Sequence, residues 1–201
     1  MRRAMVFIDG TWLWHNMMSQ KEKLDLKKLP KVIISRLSEE LGYPLDLKGI
    51  IFCASLPDNV SACDYKVVSK RDNFFSMLEK KCDYTLEIFK INFRGHRVRK
   101  ADRNKADSWE PAEKCVDIAV ASNILYHAAL DNYDHAIVIT GDRDFSPAFN
   151  KAIDLGKSIT IASFRESCSQ QLFTNYNVIF IDDFLDEITL QPESSTHTSL
   201  P

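Results

Sequence analysis

The stretch Ile137-Val138-Ile139-Thr140-Gly141-Asp142-Arg143-Asp144-Phe145 decides how this chain folds. Its first half is an unbroken apolar run, the pattern of a strand buried on both faces, and it stops at a glycine flanked by carboxylates. The opening Val6-Phe7-Ile8-Asp9-Gly10 repeats the form. Strands of this kind belong to parallel α/β sheets, and the carboxyl edge of such a sheet is where ligands bind.

Outward from these two runs, apolar strands and helical patterns alternate along the chain, which predicts an α/β fold with a mainly parallel sheet. Strands are expected at Ala4–Ile8, Leu47–Ala54, Tyr84–Phe93, His135–Thr140, Ser158–Ala162 and Val178–Ile181. Helices are expected at Pro30–Leu41, Ala62–Lys81, from Glu110-Pro111 to about Leu130, at Pro147–Leu155 and at Gln170–Asn175, with a last turn over Asp182–Ile188. Gly95 interrupts the alternation after Phe93 and predicts a hairpin inserted over about 90–108. Residues 1–190 then form one domain, and 191–201 reads as a disordered tail.

A chain of 201 residues that is 45% hydrophobic and 27% charged can bury one core, and it holds no apolar run of membrane-spanning length. Met1-Arg2-Arg3 leads into a strand rather than a signal-peptide core, so the expected location is cytoplasmic. Cys53, Cys63, Cys82, Cys115 and Cys168 are odd in number and scattered, which excludes a disulfide framework and a zinc ribbon. The net charge of −2 conceals a basic segment containing Lys90, Arg94, Arg97, Arg99, Lys100, Arg103 and Lys105, which is either a solvated surface or a contact for nucleic-acid phosphates.

The acids carry the functional reading. Asp9 and the pair Asp142 and Asp144 end strands at one edge. Asp117 falls on the helix from Pro111 in line with Ala121, Ile124 and Ala128, a stripe expected to face the sheet. A carboxylate buried there needs a cation, either Lys114 one turn earlier or a metal ion. Clustered acids repel unless a hard divalent ion such as Mg²⁺ or Mn²⁺ holds them, and that arrangement suits phosphodiester hydrolysis. Against this, Asp142 and Asp144 also suit a turn and helix cap. His15 and His127 stand without partners at ligand spacing, and Trp12 and Trp14 suit either base stacking or packing.

Four segments resemble the NYN domains of the PIN-like nuclease superfamily, which include the LabA-like proteins. They are Val6-Phe7-Ile8-Asp9-Gly10, Lys114-Cys115-Val116-Asp117-Ile118-Ala119, Thr140-Gly141-Asp142-Arg143-Asp144-Phe145-Ser146-Pro147, and Gly156-Lys157 leading into Ile159-Thr160-Ile161. The resemblance implies a Rossmann-like three-layer sandwich and cleavage of RNA in an acidic cleft. Asp9, Asp117, Asp142 and Asp144 are the implied catalytic, Mg²⁺- or Mn²⁺-binding acids. The chain departs from many relatives at Trp12, where they have Asn, with Asn16 as the candidate replacement, and at Asn123, where they have a second acid. Ser163, Ser167 and Ser169 follow a strand at the same edge, and Lys114 and the basic hairpin are candidate RNA contacts. The departures leave a second reading, an RNA-binding adaptor with a degraded site, and homodimerisation or a protein partner stays open. A third, a haloacid-dehalogenase-type phosphatase similar at Phe7-Ile8-Asp9-Gly10-Thr11, is disfavoured because such enzymes carry an acid where Thr11 stands.

Overall fold

The computed structural model describes residues 1–20, 23–112 and 115–190. Six strands, β1 (Arg2–Asp9), β2 (Leu45–Asp58), β3 (Tyr84–Asn92), β4 (His135–Ile139), β5 (Ser158–Ser163) and β6 (Asn177–Phe180), form one sheet in the order β3-β2-β1-β4-β5-β6. Every neighbouring pair is parallel. The helices are α1 (Gly10–Gln20), α2 (Leu29–Leu41), α3 (Tyr65–Cys82), α4 (Val116–Ala129), α5 (Ser146–Asp154), α6 (Gln170–Asn175) and α7 (Leu185–Ile188).

The strands read as continuous apolar runs because both sheet faces are covered. Along β1, Ala4, Val6 and Ile8 enter a core shared with Leu13, Ile33, Leu37, Phe75 and Leu78 of α1, α2 and α3. Met5 and Phe7 alternate into the opposite core with Val120, Ile124 and Ala128 of α4 and Phe149 of α5. The result is a three-layer α/β/α sandwich. Successive strands wind outward from β1 in both directions, so the order reverses between β1 and β4, the position at which a parallel sheet opens a crevice beyond its strand ends.

Three expectations need correction. No hairpin follows β3: Gly95 lies in a turn, Arg94 and Gly95 have φ of 51° and 80°, and residues 93–112 run as irregular chain with one 3-10 turn, Lys100–Asp102. That segment folds around its own polar contacts instead of a second strand. The helix expected from Pro111 begins only at Val116, after Cys115 takes the left-handed conformation (φ 82°) that ends the irregular segment. Helix α1, absent from the expected elements, follows β1 without a break because Asp9 caps it. The expected tail at 191–201 and Lys114 lie outside the described residues. None of the described helices is long and apolar enough to cross a membrane.

Candidate functional site

Asp9 closes β1 and is 4% exposed. One of its oxygens accepts the Trp12 N–H at 3.0 Å, the bond of a helix N-cap, so the carboxylate that ends the strand also starts α1. Gly10 is needed next because a Cβ there would lie 2.5 Å from the Phe52 ring and 2.8 Å from the Cys53 carbonyl oxygen. On the adjacent strand, the buried Thr140 accepts the Asp142 N–H at 3.2 Å, and Asp142 accepts the Asp144 N–H at 2.9 Å. A Cβ on Gly141 would come within 2.0 Å of the Ser167 carbonyl oxygen and 2.9 Å of Trp12. Both glycines of the strand-end motifs are therefore there for close backbone packing, which draws the first turn of α1, the end of β4 and the loop after β5 together.

Between those three segments lies a pocket of about 410 Å³ lined by Trp12, Gly141, Asp142, Arg143, Ser167 and Ser169. Trp12 is stacked at 5.8 Å on Phe164, which fixes one wall, and the Ser169 N–H donates to the Gly141 carbonyl at 3.0 Å. Ser163 is wholly buried, its hydroxyl directed to the Phe164 carbonyl at 3.4 Å, so the residues of that loop that reach the pocket are Ser167 and Ser169.

Asp117 occupies the first turn of α4 and is exposed. The residues that α4 buries are Val116, Ala119, Val120, Ile124 and Ala128, so Ile124 and Ala128 face the core as expected, whereas Asp117 turns to solvent and Ala121 is half-buried. Asp144 is also exposed. Asn16 donates its amide to the Trp12 carbonyl at 2.9 Å. Asn123 donates to Glu87 at 2.9 Å and to the Ala119 carbonyl at 2.9 Å. Glu87 was not anticipated from sequence; its only signal was an acid in the middle of an alternating strand, which resembles a solvent-facing position. Strand register sets Asp9, Cys53 and Glu87 side by side across β1, β2 and β3. Burial, then the carboxylates of Glu87 and Asp9, push the Cys53 thiol up to about 12, so it stays neutral between them. His127, held below its ordinary value by burial with Glu87 opposing, caps the same row from α4.

The basic segment divides. Arg97 turns inward and clamps the buried Asp64 through two bonds of 2.9 and 3.0 Å, with the Val98 N–H adding a third at 2.7 Å; the guanidinium is the main cause holding Asp64 below the usual carboxylate range. Arg99 pairs with Asp102 at 3.7 Å and Lys100 with Glu110. Arg103 bonds the Arg97 and Trp109 carbonyls. Arg94 and Lys105 are exposed.

Among the described residues, no group of three or more His, Cys, Asp or Glu side chains converges closely enough to hold a metal ion. The aspartates share one edge without forming a closed cage. A hard ion such as Mg²⁺ requires less: one or two carboxylates suffice when substrate phosphates and waters complete its shell. Asp142 lines the open pocket and Asp9 lies at the foot of its Trp12 wall, so these two carboxylates are the candidates for that smaller set.

Comparison with known proteins agrees with this architecture. No curated protein matches the chain. A crystal structure of a protein of unknown function from Vibrio parahaemolyticus is similar with a TM-score of 0.54 and 14% identity, covering 94% of this chain and 96% of that one; at this identity the likeness shows the fold alone. The NYN domain family matches residues 3–186. That match spans nearly the whole sheet and every strand-end acid, and the chain belongs to the NYN domain family of the PIN-like nuclease superfamily.

Proposed function

We propose that the chain is a ribonuclease that hydrolyses RNA phosphodiester bonds at the edge where β1 and β4 end. The observation that carries this reading is the placement of Asp9 and Asp142 on adjacent strand ends at the sheet's reversal point, in a fold whose family is nuclease-like. Mg²⁺ or Mn²⁺ arriving with RNA would be held by Asp9 and Asp142, with Asp144 and Asp117 at the same edge, and would supply charge neutralisation and an activated water. The chain's own groups do the rest. Trp12 offers a ring edge to a base, and Arg143 with the Ser167 and Ser169 hydroxyls offers donors to phosphate oxygens. Five free thiols accord with work in a reducing cytoplasm.

One observation favours a second reading: Trp12 is stacked on Phe164 and Asn123 is bonded to Glu87 at the two positions where many relatives carry Asn and a second acid, which suits an RNA-binding adaptor without turnover. Labelled single-stranded RNA, matched DNA and a generic phosphatase substrate, incubated with Mg²⁺, Mn²⁺ or chelator, separate the two. Metal-dependent RNA cleavage lost in Asp142→Asn supports the nuclease; RNA binding without cleavage under every metal condition supports the adaptor.

A further inference from the structure

A cleft of about 490 Å³ opens on the other side of α1 from the Asp142 pocket. Ser55 and Ile91 from the ends of β2 and β3 line its base, Thr11 and His15 of α1 one wall, Arg71 of α3 another, and Lys100 and Arg103 the outer wall. It therefore lies at the same carboxyl edge as Asp9. Thr11 lines this cleft and Trp12 lines the Asp142 pocket, so the first turn of α1 is a ridge between the two, with Asp9 at its base.

We infer that this cleft is the track for the phosphates of a single RNA strand on one side of the acidic edge, with Arg71, Lys100 and Arg103 as its contacts. The inference rests on the RNA-directed reading above and assigns the path by which the strand reaches Asp9. The charge is unusual for this chain: three cations face a single carboxylate, Glu110, in a protein whose net charge is −2. Arg103 is oriented by two carbonyl oxygens and by the Trp109 ring, 5.3 Å from its guanidinium, contacts that fix its direction without neutralising it. Arg71 lies 5.1 Å over the face of Trp14, which orients it from α3 toward α1. Lys100 and Glu110 form an exposed ion pair, with side-chain exposures of 70% and 62%, and such a pair gives way readily to a phosphate. Ile91 and Val98, both half-buried, supply apolar surface between the charges, suited to sugars and bases rather than to an acidic protein tail.

The test is anisotropy of a labelled 12-nucleotide single-stranded RNA with the full chain in chelator, over a range of salt. Arg71→Gln combined with Lys100→Gln is expected to raise Kd about tenfold and to make the slope of log K against log salt shallower by about 1.4, two phosphate contacts at roughly 0.7 each. Lys100→Gln alone, at an exposed position, is expected to give about half that slope change and guards against misfolding of the double variant. Lys31→Gln with Lys48→Gln removes the same charge near the opposite edge and is expected to change Kd less than about twofold. An unchanged slope in the cleft variants, or an equal loss in the control, overturns the track while leaving the nuclease reading standing if wild type still binds and cleaves. Failure of wild type to bind RNA overturns both. Equal displacement of short and long RNA by 5′-AMP makes the cleft a mononucleotide pocket and overturns the strand assignment.

Discussion

Asp9 closes β1 and Asp142 lies three residues beyond the end of the neighbouring parallel strand β4, and each commits one carboxylate oxygen to a backbone N–H of the chain that turns away from the sheet, Trp12 for one and Asp144 for the other. The bonds aim the carboxylates. They give these residues a structural role that substitution separates from the catalytic role proposed for them.

Asp9→Asn keeps an oxygen for the Trp12 N–H and removes the charge, so it is expected to cut RNA cleavage about 100-fold or more, the loss of several kcal/mol of charge stabilisation, with an unchanged melting temperature. Asp9→Ala loses the cap as well and is expected to destabilise by about 1 kcal/mol more. Single-turnover cleavage and thermal unfolding of both variants measure the split. Equal activity in Asp9→Asn and wild type removes Asp9 from the chemistry.

Gly141→Ala places a Cβ where the Ser167 carbonyl and the Trp12 ring already stand. The loop after β5 must retreat, and the expected cost is roughly 1–3 kcal/mol, read from urea unfolding, together with weaker RNA binding. A variant as stable as wild type shows that this loop moves freely and that the pocket is not built on the close approach.

Asn123→Asp sets a carboxylate against Glu87 where an amide now donates at 2.9 Å. The exchange is expected to destabilise by about 2 kcal/mol, and Glu87→Gln added to it is expected to recover most of the loss. Urea unfolding of the two single variants and the double completes the cycle. Additive losses mean the two side chains act independently.

Two groups predict separate pH windows for stability. Burial holds His135 down at about 4 from 6.5, its Nε2 2.8 Å from the Thr160 hydroxyl. The folded state therefore keeps it neutral: its contribution is present above about pH 6.5, falls as pH drops, and is gone by about pH 4, up to about 3 kcal/mol. Asp134, lowered to about 2 chiefly by Arg3, ties the start of β1 to the turn before β4. Its contribution is present above about pH 4 and is lost between there and pH 2. Denaturation curves of His135→Asn and Asp134→Asn against wild type are expected to flatten in the first and second window respectively; a variant curve parallel to wild type removes that group from the account.

The apolar runs, their stops at Asp9 and Asp142, and the alternation with helical patterns determined the α/β class and the edge that carries the site, because burial on both faces leaves a period-free apolar strand and few other places for it. Local sequence did not determine what happens between the elements. The segment expected as a hairpin over about 90–108, from the break at Gly95, instead leaves β3 as irregular chain in which Arg97 reaches the buried Asp64 of another element. On α4, Val116 and Val120 take the core-facing positions beside Ile124 and Ala128, which leaves Asp117 turned out to solvent. Glu87 gained its place in one row with Cys53 and Asp9 only through strand register. Each of these was decided by partners distant in sequence, whose interactions exceed the local preferences a pattern can register, and so they belong to the tertiary structure.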